Sequence, residues 1–404
     1  MNGTQKGNVD LVKQLNGAAV YRLIDQKGPI SRIQVAELSQ LAPASVTKIT
    51  RQLLEKGLIK EVAQQASTGG RRAISLKTET SPFHSIAVRL GRDYVQVSLY
   101  DLGANEIASE YHEFNYLHQN ELIEGLIDYI RSFIHSYKEQ MEQLIAIGIV
   151  LPGLVNPELG VVEYMHNVEI DALSLGDIIH DHFGVECFIG NDIRGLALAE
   201  HYFGASKDSQ DSILISVGRG TGAGMIVNGQ IFLGYNRNVG EIGHIQIDPL
   251  GDRCQCGNFG CLETVASNPA ILRRVHQLLE QGHPSSLAEL SSIAIEDICA
   301  HANLGDELSR QILFNVGNHI GKAVAITVNL FNPQKIVIAG QITTAKDLIF
   351  PAIERNVESQ SLKAFYKNLP IVASEVYKQP TIAAFAMIKR AMLNGVLLQK
   401  LMGE

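Results

Sequence analysis

The chain has 404 residues, 46% of them hydrophobic and 19% charged, with a formal net charge of −8. That length is more than one ordinary domain, and the apolar fraction supports sizeable cores, which argues against a disordered chain. No apolar run of about 18 residues occurs, and the start MNGTQKGNVDLVKQL lacks the basic-then-apolar plan of a secretory signal, so neither membrane insertion nor export is expected.

The expected compartment is the cytoplasm, where thiols stay reduced. Charge is unevenly distributed: residues 1–80 hold 12 Lys/Arg against 6 Asp/Glu, and the rest of the chain carries −14. A basic head on an acidic body suits a protein that meets phosphates at one end.

In chain order, Leu11, Leu15, Ala19, Leu23 and Ile24 recur at helical spacing up to Gly28-Pro29. A short helix over Ile33–Ser39 follows Ser31 as N-cap. Leu41-Ala42 turns, and Pro43 opens a helix over Ala44–Lys56. Ile33, Val35, Leu38, Leu41, Val46, Ile49, Leu53 and Leu54 are expected inside. Strands over Glu61–Ala66 and Ala73–Lys77 would flank a tip carrying Arg71 and Arg72. This is the pattern of a winged helix-turn-helix, whose second helix enters the major groove while the wing follows the backbone or a minor groove. The candidate DNA contacts are Arg32, Gln34, Ser45, Thr47, Lys48, Arg51, Arg71 and Arg72.

After the polar linker at residues 78–82 the pattern becomes α/β. Strands are expected over Ser85–Leu90, Val95–Tyr100, Leu144–Val150, Ser212–Val217 and Lys335–Ala339. Helices are expected over Asn120–Lys138, Ile193–Phe203 and Leu308–Phe331. Each half opens with two strands joined by a tight turn, Ser85–Tyr100 and Ser212–Asn228, which predicts a two-lobed fold with a cleft. Pro380–Leu401 reads as helical, broken near Gly395. Its Ala383, Ala384, Met387, Leu393 and Leu397 suit core packing better than a self-association surface.

His244, Cys254, Cys256 and Cys261 have the order H-x9-C-x-C-x4-C. Three thiolates and an imidazole at these separations match a closed tetrahedral Zn²⁺ site, one per chain, with no open position and therefore structural. Gly251, Gly257 and Gly260 allow the loop to curve. Cys187 and Cys299 read as buried small hydrophobes. Polar groups at Pro152-Gly153, Asn191-Asp192, Glu241, His244 and Glu263 suit a polyhydroxylated ligand, although Asn191-Asp192 also has the form of a helix N-cap.

The segments Val239-Gly240-Glu241-Ile242-Gly243-His244, Cys254-x-Cys256-x4-Cys261-Leu262-Glu263 and Gly220-Thr221-Gly222-Ala223-Gly224 resemble the ROK family of repressors, open reading frames and kinases. The resemblance covers essentially the whole chain, and NVDLVKQLN, QLAPASVTKITRQL, QQASTGGRRAIS and NLFNPQKIVIAG resemble its repressor members. It implies a winged helix-turn-helix at 1–80, then a two-lobed actin-like ATPase (sugar kinase) fold, with one lobe at 81–193 and the other, carrying the zinc loop and C-terminal helices, at 194–404. It implies sugar contacts at Gly153, Asn191, Asp192, Glu241, His244 and Glu263, with His244 also holding zinc.

It further implies an operator-DNA-binding homodimer or homotetramer that represses amino-sugar uptake and breakdown and is released by N-acetylglucosamine 6-phosphate. The alternatives are a glucose-responsive repressor governed by a phosphotransferase-system protein, and a sugar kinase with a DNA-binding module. Family kinases carry a D-x-G-G-T-K-type phosphate loop. Here the matching turn is Arg89-Leu90-Gly91-Arg92-Asp93, with Arg89 in place of the acid. A guanidinium there would repel Mg²⁺, so no kinase activity is expected, even though Gly220-Thr221-Gly222 and Asp192 are retained.

Overall fold

Alternating helical and β-branched stretches give two compact units in the structure, a computed structural model that describes residues 3–63, 74–166 and 168–403. The first unit comprises residues 1–191 and 384–404, the second residues 192–383. By packing, then, the C-terminal helices belong with the first unit.

The first unit begins with the head: α1 (Gly3–Lys27), β1 (Ile30–Ser31), α2 (Arg32–Ser39), α3 (Pro43–Glu55), β2 (Ile59–Ala63) and β3 (Ile74–Thr78). A capping box starts α2, with Ser31 Oγ accepting from Gln34 N and the Gln34 carboxamide accepting from Ser31 N. Val35, Val46 and Leu53 are fully buried, as the spacing predicts. Ile33 and Leu38 are not: they are 73% and 50% exposed. On so short a helix the buried face is set by Val35 and Ala36, and residues 33 and 38 each fall roughly 110° away from its centre. The head's sheet has the order β1-β3-β2, and Ile59 pairs with Thr78 and Ala63 with Ile74. The expected tip, with Arg71 and Arg72, lies outside the described residues.

The rest of this unit holds β4 (Phe83–Leu90), β5 (Tyr94–Asp101), β6 (Glu106–Glu113), α4 (Gln119–Ser136), β7 (Gln143–Leu151), β8 (Leu154–Asn156), β9 (Val161–Tyr164), α5 (Leu175–Phe183) and β10 (Glu186–Asn191). The second unit contains α6 (Asp192–Phe203), β11 (Ser212–Val217), β12 (Thr221–Val227), β13 (Gln230–Ile231), α7 (Glu263–Ala266), α8 (Asn268–Glu280), α9 (Ile295–Leu304), α10 (Glu307–Phe331), β14 (Lys335–Ala339), α11 (Lys346–Gln360), α12 (Lys363–Tyr366) and β15 (Ile371–Ala373). The chain closes with α13 (Ile382–Leu393) and α14 (Val396–Met402).

Each unit is built on one five-stranded sheet, ordered β6-β5-β4-β7-β10 in the first and β13-β12-β11-β14-β15 in the second. The connectivity is the same in both. Three strands run as an antiparallel meander, and two more add in parallel beside the first of them. Buried parallel strands read as continuous apolar runs, as Ile145–Leu151 and Ile336–Ala339 do. Glycines admit α13 onto the first sheet. A Cβ on Gly148 would stand 2.4 Å from Ala384 O, and one on Gly190 2.8 Å from Met387 Cε. Among the described residues, no single helix is long and apolar enough to cross a membrane.

Beyond that contact, α13 and α14 grip the head. Arg22 Nη2 donates to Leu393 O at 2.8 Å, and Lys389 Nζ stands 2.6 Å from Asp25 Oδ1, with both side chains nearly buried. Gly395, at φ +89°, leaves room for Gln14 and Ala18 of α1.

Candidate functional site

In the head, α2 and α3 meet through a left-handed residue, Gln40 at φ 57°. Pro43 fits the first turn of α3 because its missing N–H has no helical partner there. Spacing along α3 places Thr47, Lys48 and Arg51 together on one exposed face, while Val46, Thr50 and Leu53 face inward. Ser45 is half-buried. Three expected contacts are engaged within the head. The Thr47 hydroxyl donates to Pro43 O at 2.8 Å. Arg32 donates from Nε to Thr50 Oγ1 at 3.2 Å and from Nη2 to Glu61 Oε1 at 2.7 Å, and Gln34 serves the α2 cap.

In the second unit the 3-10 turn Ile242–His244 and the loop to Cys261 bring four donors together. Their ligand atoms all lie within 4.8 Å of one another. Cys254 Sγ is 3.6 Å from His244 Nδ1, and Cys256 Sγ is 3.7 Å from Cys261 Sγ. Ligands bonded to a central ion at about 2.0–2.3 Å stand roughly 3.3–3.8 Å apart in a tetrahedron, so the quartet has the right size for a metal. The loop closes through bridges Gln246–Cys261 and Arg253–Phe259. Gly260 sits at φ +64°, and a Cβ there would lie 1.5 Å from Asp248 O. Burial pushes the Cys261 thiol up to about 12, with the neighbouring thiols adding to the effect. The Asn258 backbone N–H pulls Cys256 down. Three thiolates cannot share so small a space without a cation among them, so the donor chemistry fits a metal ion.

The same unit carries three more of the expected sugar residues, Asp192, Glu241 and Glu263. Asp192 opens α6, and its Oδ1 accepts from Ile193 N at 3.0 Å. The far end of α6 is tied down by the fully buried Glu200, which accepts from Ala205 N at 2.6 Å, Val376 N at 3.1 Å and Ser374 Oγ. Glu263 Oε2 accepts from Thr221 N at 3.1 Å and so pins the Gly220-Thr221 turn. Glu241 is exposed, with Oε1 3.6 Å from Arg194 Nη2. Nothing in the sequence marks Arg194 as part of a site. Burial depresses its pKa, while Glu241 and Asp192 oppose that shift.

In the first unit, Asn191 Nδ2 donates to Gly153 O at 3.1 Å, which joins the two residues expected there. A Cβ on Gly153 would stand 2.3 Å from Tyr164 O, so glycine is required for this close approach. Arg89 lies on β4 opposite Gln96 and Val150. The turn that follows is occupied by aromatic side chains. Tyr116 Oη donates to Gly91 O at 2.6 Å, and a Cβ on Gly91 would meet the Tyr94 ring at 2.1 Å.

Comparison with known proteins places these features in a family. A model of the ROK family matches residues 85–391. The DNA-binding transcriptional dual regulator NagC of Escherichia coli (strain K12) is 59% identical over 398 residues, 98% of each chain. The DNA-binding transcriptional repressor Mlc of the same strain is 38% identical over 400 residues, again 98% of each. A crystal structure of a ROK family transcriptional regulator, described as a homolog of the E. coli MLC protein, matches with a TM-score of 0.92 at 44% identity, covering 98% of this chain and 100% of that one. A ROK family glucokinase from Streptomyces griseus, in complex with glucose and AMPPNP, shares the fold, with a TM-score of 0.64 at 22% identity over 74% of this chain and 97% of that one.

Proposed function

Because this chain belongs to the ROK family, we propose that it represses genes for N-acetylglucosamine uptake and catabolism and leaves its operator when N-acetylglucosamine 6-phosphate binds. The observation that carries this reading is the exposed Thr47, Lys48 and Arg51 face of α3, backed by a buried helix-turn-helix interior. Those side chains offer two cations, and a hydroxyl oxygen whose own proton goes to Pro43 O, to phosphates and base edges. Ser45, Arg32 and Gln34 flank that face, and Arg71 and Arg72 would extend it along the duplex. A homodimer or homotetramer would match a palindromic operator, acting in the cytoplasm.

Asp192, Glu241, His244 and Glu263 are proposed to bind sugar hydroxyls, as are Gly153 and Asn191. His244, Cys254, Cys256 and Cys261 are proposed to hold one structural Zn²⁺, which would lock the loop that carries His244. The functional division into a head at 1–80 and lobes at 81–193 and 194–404 belongs to the same reading. Arg89 in place of the metal-binding acid, with tyrosines filling the adjacent turn, supports a sensor without kinase activity.

The test is to titrate N-acetylglucosamine 6-phosphate into a complex of the zinc-loaded protein with duplex from an amino-sugar operon. Release at saturating ligand is the expected result. Indifference would overturn the inducer assignment and favour control by a phosphotransferase-system protein. Turnover of ATP with N-acetylglucosamine and Mg²⁺ would overturn the non-enzyme assignment. Only a ligand with different affinity for the DNA-bound and free arrangements can drive release.

A further inference from the structure

Arg194 lies on the first turn of α6, two residues after Asp192, and is only 5% exposed. Its Nη1 donates to Asn238 Oδ1 at 3.3 Å and its Nη2 to Val239 O at 3.2 Å. The same Nη2 stands 3.6 Å from Glu241 Oε1, whose side chain is 54% exposed. Residues 232–241 form neither helix nor strand. At its end the segment is fastened by Gly240, at φ +89°, whose carbonyl accepts from Ala223 N and Ile242 N, both at 2.7 Å. Upstream, Asn236 braces Asn238 through its side-chain and backbone oxygens.

Burying a guanidinium is costly, and an apolar side chain of similar volume would pack at least as well. What only arginine offers is a rigid planar fork that reaches an amide, a backbone carbonyl and a carboxylate at once. All three lie on the segment that presents Glu241. A carboxylate already held in place loses less freedom when it receives a hydroxyl.

We propose that Arg194 is the positioning residue of the sugar site: its buried guanidinium fixes the Asn238–Glu241 segment, so that Glu241 meets a sugar hydroxyl pre-aligned while Arg194 itself touches no ligand. This rests on the assignment of Glu241 to the sugar made above.

The experiment uses the full-length, zinc-loaded protein and its variants Arg194→Met, Arg194→Lys, Glu241→Gln and the double variant R194M/E241Q. Calorimetry measures binding of N-acetylglucosamine 6-phosphate and, separately, of N-acetylglucosamine. Hydrogen exchange follows the amides of residues 236–241 without sugar. Arg194→Met should weaken both ligands by the same factor, roughly tenfold. Arg194→Lys should recover part of that loss, and the double variant should bind no more weakly than the poorer single one. Exchange at 236–241 should speed up in Arg194→Met, while metal content and sugar-free operator affinity stay at the parent values. If Arg194→Met does not fold, Asn238→Ala removes one acceptor and is read in the same way.

Unchanged exchange at 236–241 overturns the proposal whatever the ligand does. A loss confined to the phosphorylated sugar would mean direct phosphate contact and also overturns it, as would losses that multiply in the double variant. If the parent protein binds neither sugar, the sugar reading itself fails. Faster exchange in Arg194→Met would then mark a loop anchor with no ligand role, and the proposal falls with that reading.

Discussion

Lys48 and Arg51 stand on the exposed face of α3, whereas Arg32 is spent on Thr50 and Glu61. These three cations should therefore behave differently on DNA. Replacing Lys48 or Arg51 by Ala should weaken operator binding. The slope of log affinity against log salt should fall by about 1 for every phosphate the variant no longer neutralises. Arg32→Ala should instead leave the slope unchanged and loosen the packing of α2 against the wing. Anisotropy titrations across a salt series measure both quantities, and three indistinguishable variants would refute the assignment. At this scale the sequence is most legible where partners are close along the chain. His244 to Cys261 spans 18 positions, so ligand spacing alone predicts the quartet that the structure gathers. Arg194 is illegible because its acceptor Asn238 lies 44 positions away, and nothing in NDIRGLALAE tells a buried fork from a helix-surface cation.

Among the elements, α10 shows how a terminus is secured. Asp306 accepts from Ser309 N at 2.8 Å, Ser286 N at 2.9 Å and Ser285 Oγ at 3.0 Å. Burial alone would raise its pKa, but these hydrogen bonds prevail and bring it to about 2. The folded value is thus below the unfolded one, about 3.9. The stabilisation is fully present above the unfolded pKa and is lost as pH falls toward about 2. Asp306→Ala should cost about 1 kcal/mol near neutral pH. In thermal melts its deficit against the parent should shrink between about pH 4 and pH 2; parallel melting curves over that range would contradict this. Strands Ser212–Val217 and Lys335–Ala339 match their expected bounds because each is preceded by a polar residue, Asp211 or Gln334, and followed by a glycine, Gly218 or Gly340. Glu106–Glu113 is not legible as a strand because this outer strand, reading EIASEYHE, is interrupted by polar groups and lacks an apolar run. The exposure of Ile33 and Leu38 arises on a helix too short for periodicity to choose its inner face.

For the whole molecule, the recurrence of one sheet plan in both units is visible in the sequence only as one pair of strands at the start of each half. Illegible altogether was the attachment of α1 to the last helices, since Asp25 and Lys389 are 364 positions apart. Their side chains are 13% and 10% exposed, so removing one partner leaves a charge stranded in poor solvent. Lys389→Met or Asp25→Leu alone should each cost on the order of 3–5 kcal/mol, and the two together should restore most of the loss. Chemical denaturation of the four proteins decides this, and additive losses would count against a coupled pair.

The clasp of α1 by α13 and α14 also imposes an order on synthesis. The head is translated first, yet Arg22 waits for Leu393 and Asp25 for Lys389, the better part of four hundred codons later. A nascent or prematurely terminated chain consequently carries a head whose longest helix lacks this clasp. Only a chain translated past Lys389 and Leu393 offers the operator a fully braced one.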